Sequence, residues 1–135
     1  MKAEGLTLAP LKRIALVKAG TTTFTVPTGH RYYLAGGSMQ YTASAAVATR
    51  VITVYVNDGT VEHHLVKFDC VASQVMRWLL GADTVAYAAY EAKGTNMGNP
   101  KPMIAGDVLN VSIAAADAGD TWNATFDVWD IALGA

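Results

Sequence analysis

The chain has 135 residues, of which 52% are apolar and only 16% are charged. Disordered chains are poor in apolar residues and rich in charge, so this composition excludes disorder as the main state and fits one folded domain. Ten Lys and Arg against eleven Asp and Glu leave a net charge of −1. Nucleic-acid binding through the phosphate backbone needs a basic surplus, so we expect no nucleic-acid partner.

The first twenty residues scatter leucines among basic side chains, and we predict an N-terminal arm or lead-in over residues 1–13, followed by one β domain over residues 14–135. The alternative to an arm is a frayed lead-in to a first strand at Ile14–Lys18. Charged residues and a proline interrupt the early apolar run, and no later run is long enough for a membrane helix. We therefore expect no membrane partner and a protein made in a cytoplasm.

Runs with the two-residue period of β-strands follow in chain order. Thr22–Val26 is a short strand, and His30–Thr42 is a longer one in which Gly36-Gly37 predicts a bulge or bend. Cys70–Leu80 fits either a buried strand or one short helix, and Thr84–Tyr90 is a weaker strand candidate. The prolines and asparagines of Asn96–Pro102 predict a loop.

The clearest hairpin runs from Val51 to Val66, with Asp58-Gly59 as a two-residue loop that accepts positive φ. That loop predicts the cross-strand pairs Val56 with Val61, Val54 with His63 and Ile52 with Leu65. In this register the aliphatic side chains share one face, and His63 lies half-buried among them.

Two further strands are predicted near the C-terminus. In Val108–Ala114, Leu109, Val111 and Ile113 share a face, and in Thr121–Leu133 the residues Trp122, Ala124, Phe126 and Val128 do so. We predict that these two strands pair. With about eight strands and no long helical pattern, the sequence predicts an all-β fold, a single antiparallel β-sandwich or jelly-roll-like domain.

Catalytic and metal-binding patterns are absent from the sequence. His63-His64 cannot easily share one ion, because adjacent strand residues face opposite sides, and His30 follows a turn. No serine stands in a nucleophile elbow, and Cys70 is expected to be a small buried side chain. We read the aspartates of the C-terminal region as turn and solvent-face residues with at most a weak calcium signal, and we predict no cofactor; these are Asp117, Asp120, Asp127 and Asp130.

The candidate interface residues are exposed-strand tryptophans and the N-terminal segment. Trp129 falls opposite the apolar phase of its strand, where an interface and a second packed layer are equally consistent. Residues 1–32 carry a net charge of +4 and residues 102–135 a net charge of −5, which suits contacts between copies unless the two ends lie close and neutralise each other. The candidates are Leu6, Leu8, Leu11, Lys12, Arg13, Trp78 and Trp129.

Four stretches resemble small β-sandwich virion proteins of tailed bacteriophages. The resemblance lies in the turn-Val-Pro-x-Gly-strand opening and in the Ala-Gly-Asp-x-Leu-x-Val element, and it covers about half the chain. The stretches begin at Phe24, Arg50, Met103 and Gly119. The resemblance implies many copies on a head, neck or tail, no catalysis, and assembly in the host cytoplasm; it implies no site residue.

These observations lead to a non-enzymatic virion structural protein, foremost a capsid decoration or cement subunit that contacts the major capsid protein or other virion proteins. A homo-oligomer is expected, with a trimer favoured at three-fold positions. A carbohydrate-binding or host-adsorption module using Trp78 or Trp129 is the main alternative, and a neck or tail subunit is the second. A small jelly-roll enzyme would need histidines or carboxylates that converge, and only His63 is placed for that.

Overall fold

A computed structural model describes residues 11–18, 20, 22–81, 93–96 and 100–133. Every regular element in these ranges is a β-strand, which confirms the all-β prediction with ten strands in place of about eight. Leu6, Leu8 and the predicted strand Thr84–Tyr90 lie outside the described residues. The strands are β1 Leu11–Val17, β2 Thr23–Thr25, β3 His30–Thr42, β4 Arg50–Asn57, β5 Glu62–Cys70, β6 Val75–Gly81, β7 Lys93–Asn96, β8 Lys101–Ile104, β9 Val108–Ala114 and β10 Thr121–Ala132.

The strands form two sheets that pack face to face. Sheet A has six strands in the order β1-β10-β3-β6-β7, with β8 also paired to β3, and sheet B has the order β2-β9-β4-β5. All pairs are antiparallel except β6 with β7. Alternate side chains of both sheets point inward and form one continuous core. The segment after Cys70, left open between strand and helix, is therefore a turn followed by strand β6.

The bend predicted at Gly36-Gly37 is confirmed as a bulge in β3. Val128 pairs with Leu34 and the preceding residue of β10 pairs with Gly36, so Ala35 has no partner in β10. At this point the other neighbour of β3 changes from β8 to β6. A Cβ on Gly37 would lie 2.8 Å from the Phe126 ring and from the Thr125 carbonyl oxygen, so the close approach of the strands requires glycine.

The hairpin exists, but its predicted register is wrong. Val56 pairs with His63, not with Val61, and a bulge at Leu65 shifts the pairing so that Val54 meets Val66. The loop is longer because the Asp58 carboxylate accepts hydrogen bonds from the N–H groups of Thr60 and Val61, at 2.9 and 2.8 Å. His63 consequently lies on the surface beside Asp58, not half-buried on the apolar face.

The predicted pairing of the two C-terminal strands is also wrong. Strand β9 pairs with β2 and β4 in sheet B, whereas β10 pairs with β1 and β3 in sheet A. The predicted inward faces are nevertheless correct, because Leu109, Val111, Trp122 and Phe126 are all buried. The alternating pattern therefore identified each strand's inner face, but it did not indicate the partner strand.

The first strand begins earlier than expected, at Leu11, so the last three residues of the predicted arm or lead-in belong to β1. It pairs with β10 along its whole length. Arg13 contacts Asp127, and the Lys18 ammonium donates to backbone carbonyls of the turn before β10. The basic N-terminal and acidic C-terminal regions thus lie side by side, which favours charge neutralisation within one chain over the attraction of opposite charges between copies.

Two of the aspartates expected on the surface are buried at opposite ends of β10. At its start, Asp120 forms a two-point ion pair with the fully buried Arg50, at 2.9 and 3.0 Å, and accepts a 2.6 Å hydrogen bond from the Tyr41 hydroxyl. Burial alone would raise the pKa of Asp120, but the hydrogen bonds that it accepts hold the pKa below the ordinary value. Near the end of β10, Asp130 is buried in a second ion cluster.

Candidate protein interface

The outer face of sheet A carries a row of apolar side chains at the end where β8 joins β3. Trp129 pairs with Leu11 on one side and with Tyr33 on the other, and Tyr33 pairs with Pro102. Cross-strand partners on one face are in contact distance, so the row crosses four strands. Leu11 is 56% exposed and Trp129 is 38% exposed.

The next row of the same face extends this surface. Ile131 pairs with Arg31, and Arg31 pairs with Ile104, which is 57% exposed. Exposed apolar groups on neighbouring strands, centred on a tryptophan, are typical of protein interfaces, where arginine at the margin is also enriched. We call this surface the apolar half; it comprises Leu11, Tyr33, Pro102, Ile104, Trp129 and Ile131.

Beyond the β3 bulge the same face becomes polar. Ser38 and Thr125 share a 3.2 Å hydrogen bond between their hydroxyls, and the Arg77 guanidinium donates to the Gln40 side-chain oxygen at 2.9 Å. These side chains pair with one another across neighbouring strands. We call this surface the polar half; it comprises Ser38, Gln40, Arg77, Asn123 and Thr125.

The outer face of sheet B has the composition of a solvated surface. Thr53 and Tyr55 of β4 point outward beside Asn110 and Ser112 of β9. Strand β5 adds the exposed charges of Lys67 and Asp69. Among the described strands, the exposed large apolar side chains Leu11, Ile104 and Trp129 therefore lie at this end of sheet A, whereas Val17, 37% exposed, lies at the other end beside Asn123.

The remaining N-terminal candidates flank the apolar half. The Arg13 guanidinium lies 3.1 Å from Asp127 on the same outer face, next to Leu11 and Trp129. Lys12 points the other way, and its ammonium lies 2.6 Å from Asp130. The hydrogen bond to Asp130 stabilises the charged ammonium and so raises the pKa of Lys12.

His30 joins the same ion cluster, which corrects its expected place on an exposed turn. Its Nδ1 lies 2.6 Å from the second oxygen of Asp130. Burial would raise the pKa of Asp130, but the hydrogen bonds from Lys12 and His30 hold it below the ordinary value. The cluster ties β1 and β3 to β10 directly behind the apolar half and so holds its three longest strands in register.

Trp78 does not belong to this surface. It is only 1% exposed and packs on Phe126, with the ring centroids 5.9 Å apart. Its indole N–H has no hydrogen-bond partner among the described residues. The sequence does not predict the burial of Trp78, because the segment around it shows no clean two-residue period. Strand β10 alternates throughout, so the outward direction of Trp129 is predictable.

Four members of the apolar half were missed as site residues: Tyr33, Pro102, Ile104 and Ile131. A signal for Tyr33 exists, because strand alternation places it opposite the buried Tyr32. Pro102 and Ile104 have no such signal, since their loop-like sequence hides strand β8. Proline fits there because it lies in a short strand that pairs on one side only.

An open groove of about 440 Å³ lies between the β4–β5 loop and β8. It holds the pair Asp58 and His63, whose oxygen and ring nitrogen are 2.9 Å apart. The hydrogen bond from His63 and the loop N–H groups lower the pKa of Asp58, which makes its carboxylate a weak general base. The pair holds the loop in place, because the same carboxylate accepts hydrogen bonds from His63 and from two loop N–H groups.

The three histidines make separate contacts: His30 with Asp130, His63 with Asp58 and His64 with Glu62. No cluster of three or more His, Cys, Asp or Glu side chains suited to a metal ion occurs within the described ranges. The described part of the chain also holds no helix that could cross a membrane.

Comparison with protein-family models, curated proteins and solved structures finds no match to this chain.

Proposed function

We propose that the chain is a non-enzymatic structural protein of a phage particle, foremost a capsid decoration or cement subunit that docks on the major capsid protein through the apolar half. The observation that carries the proposal is the exposed row from Leu11 through Trp129 and Tyr33 to Pro102. Its chemistry is adhesive, because it offers apolar area and aromatic anchors without converging acids, bases or nucleophiles.

Repetition would make such modest contacts sufficient. Buried apolar surface contributes about 25 cal/mol per Å² before the cost of ordering is subtracted. A shell presents the same binding site many times, and a homo-oligomer that engages several sites at once gains avidity without new contacts. The virion resemblance in the sequence supplies the context, and the apolar half supplies the surface.

Binding to purified expanded capsid shells that lack decoration protein tests the proposal. Trp129→Ser removes the central anchor, and we expect it to weaken binding by about thirtyfold or more, as for an interface hot spot. Tyr55→Ser, an aromatic deletion on the outer face of sheet B, is the matched control and should bind like the unaltered chain. Equal binding by both variants would exclude the apolar half as the docking surface.

The expected N-terminal arm is tested separately, because Leu6 and Leu8 lie outside the described residues. Deleting residues 1–10 leaves β1 intact. A loss of shell affinity with unchanged thermal stability would support an arm that contacts a neighbour. Unchanged affinity would restrict docking to the folded domain. The same titration on purified necks and tails distinguishes a head protein from the neck or tail alternative.

A carbohydrate-binding or host-adsorption module remains the second candidate. The exposed Trp129 beside Tyr33 gives two neighbouring aromatic rings, which is the arrangement that stacks on sugar rings. The burial of Trp78 removes the other tryptophan considered for this role. Saturable quenching of tryptophan fluorescence by oligosaccharides, abolished in Trp129→Ser, would favour this candidate over the structural one.

A further inference from the structure

The outer edge of β1 has no partner strand among the described residues. In the described part of the chain, β1 pairs with β10 and no strand occupies its other side. The Lys18 N–H donates to the Trp122 carbonyl in the register of the β1–β10 pair. Hydrogen-bonded and non-hydrogen-bonded pairs alternate along an antiparallel pair, so the even-numbered residues of β1 form the backbone hydrogen bonds to β10. The backbone N–H and C=O groups of the odd-numbered residues therefore face outward. These residues are Leu11, Arg13, Ala15 and Val17.

The other sheet edges have features that discourage pairing. Strand β5 carries exposed charges and a bulge, β2 has three residues, and β7 and β8 have four each. Natural proteins protect edges by such means. Strand β1 has seven residues in regular register, and both of its cations are engaged by β10: Lys12 with Asp130 and Arg13 with Asp127. Its charges are therefore directed along the sheet toward β10.

We propose that β1 pairs antiparallel with β1 of a second copy, about a two-fold axis at Ile14, so that the two sheets A become one continuous sheet. This is the register that pairs all seven residues. It places Arg13 opposite Ala15 and Lys12 opposite Leu16, so no like charges face each other. A register centred one residue earlier would set the two Arg13 side chains against each other.

The same register adds one apolar side chain of the second copy to the apolar half. Leu11 lies opposite Val17 of the second copy, and both are exposed in the single chain, at 56% and 37%. The row that begins at Pro102 and passes through Trp129 then ends at that Val17, whose own partner in β10 is the polar Asn123. The two Ile14 side chains meet at the axis and cover the partly buried core edge.

This inference goes beyond the proposed function and does not depend on it, because the pairing uses backbone N–H and C=O groups of β1, whereas the proposed docking uses side chains on the outer face of sheet A, of which Leu11 alone belongs to β1. It replaces the trimer expected from the resemblance with a two-fold dimer. The pairing would hold equally in a shell-binding protein and in a sugar-binding one, and its test uses the mass of the free chain, so it can fail without affecting shell binding.

The first experiment measures mass by light scattering up to about 1 mM chain, the weak limit for specific pairing. We expect twice the 14.3 kDa of one chain. Ala15→Pro removes an N–H that faces the free edge and leaves the bonds to β10 intact, while Ala15→Ser is the matched control that keeps the N–H. By symmetry the proline removes two inter-chain bonds, so the dissociation constant should rise about thirtyfold.

The second experiment tests the register even if the proline variant does not fold. Cysteines at Ile14 of both copies would be a directly opposite pair, with Cα atoms about 4.5 Å apart, within the range for a disulfide. Ile14→Cys should therefore cross-link under mild oxidation, and Ala15→Cys, whose copies are offset by two residues, should not. The native Cys70 is buried and serves as an internal negative control.

A chain that stays monomeric at the highest concentration, or that forms a trimer, would overturn the inference. So would a dimer that persists in Ala15→Pro but dissociates in Trp129→Ser, since that result would place the contact on the apolar half. Preferential cross-linking of Ala15→Cys would reject the register.

Discussion

The two ends of strand β10 are both closed by a buried aspartate, yet they are built differently. Asp120 meets a guanidinium with no exposure and receives further hydrogen bonds from a hydroxyl and from backbone N–H groups. Asp130 meets an ammonium that is half exposed and a histidine that is one-third exposed. The first end is a closed network beneath the polar half, and the second is a water-accessible cluster beneath the apolar half.

The difference shows which end uses its charged groups for internal contacts and which end leaves charged groups partly exposed to solvent. Arg50 also donates to the carbonyls of Ala46 and Ala48, so the Asp120 network holds the β3–β4 loop as well as the turn before β10. All of its groups are used internally. The Asp130 end keeps exposed charge and apolar surface together, which is the combination found at protein interfaces.

The largest loss of stability is expected from a substitution that breaks the ion pair between Asp120 and Arg50. Asp120→Ala leaves a buried guanidinium without its anion, and we expect a loss of about 3–5 kcal/mol in the free energy of unfolding. Urea denaturation measures this loss. Asp117→Ala, which removes a carboxylate at the margin of the same network, is the control and should cost clearly less. Equal losses of unfolding free energy in the two variants would mean that the ion pair of Asp120 with Arg50 does not dominate the stability of this end.

The next effect concerns the boundary between the two halves of sheet A. Gly37→Ala would place a methyl group 2.8 Å from the Phe126 ring and from a backbone oxygen, so we expect a loss of about 1–3 kcal/mol. Gly29→Ala is the contrasting control, because nothing lies within 4 Å of its Cβ position and only its positive φ opposes the change. A neutral Gly37→Ala in thermal unfolding would contradict the close strand approach.

A smaller effect is expected at the open end. Asp130→Ala leaves Lys12 and His30 without their anion, but both can turn into water, so the loss should be less than half of that for Asp120→Ala. The comparison is made in the same urea titrations. If Asp130→Ala is as destabilising as Asp120→Ala, the two ends are energetically equivalent and the contrast between them fails.

The smallest effect is a difference in acid sensitivity. Both aspartates have a pKa below the ordinary value of 3.8 in the folded chain, so the unfolded chain binds more protons as the medium becomes acidic. Their stabilising contribution is present above that ordinary value and is lost as the pH falls through it toward the folded pKa. Urea titrations between pH 7 and pH 2 should show a flatter decline for Asp120→Asn than for Asp130→Asn. Identical pH dependence of the unfolding free energy in the two variants would contradict the larger contribution expected from Asp120.

Much of this architecture was predictable from alternation alone. The inner faces of β9 and β10, the bend at Gly36-Gly37, and the outward direction of Trp129 follow from period two. The sequence predicts Leu11 and Trp129 as interface residues, and the structure pairs them across β1 and β10. The alternating pattern does not determine which strands pair, because a strand with one apolar face can pair with any other strand of the same sheet.

The buried charges could also have been found. Asp120 and Asp130 stand in phase with the buried residues of β10, and Arg50 stands in phase with those of β4. Charged residues at positions where the alternation of a strand requires an inward-facing side chain predict a buried ion pair. The hairpin register could not be found this way, because it depends on hydrogen bonds from the Asp58 side chain to its own loop.

The pairing of β1 with β10 has a consequence for biosynthesis. More than a hundred residues separate the two strands along the sequence, so β1 leaves the ribosome long before its neighbour exists. Sheet A can close only after residue 132 has been translated. Until then the nascent chain holds β1 without the strand with which it pairs in the folded domain.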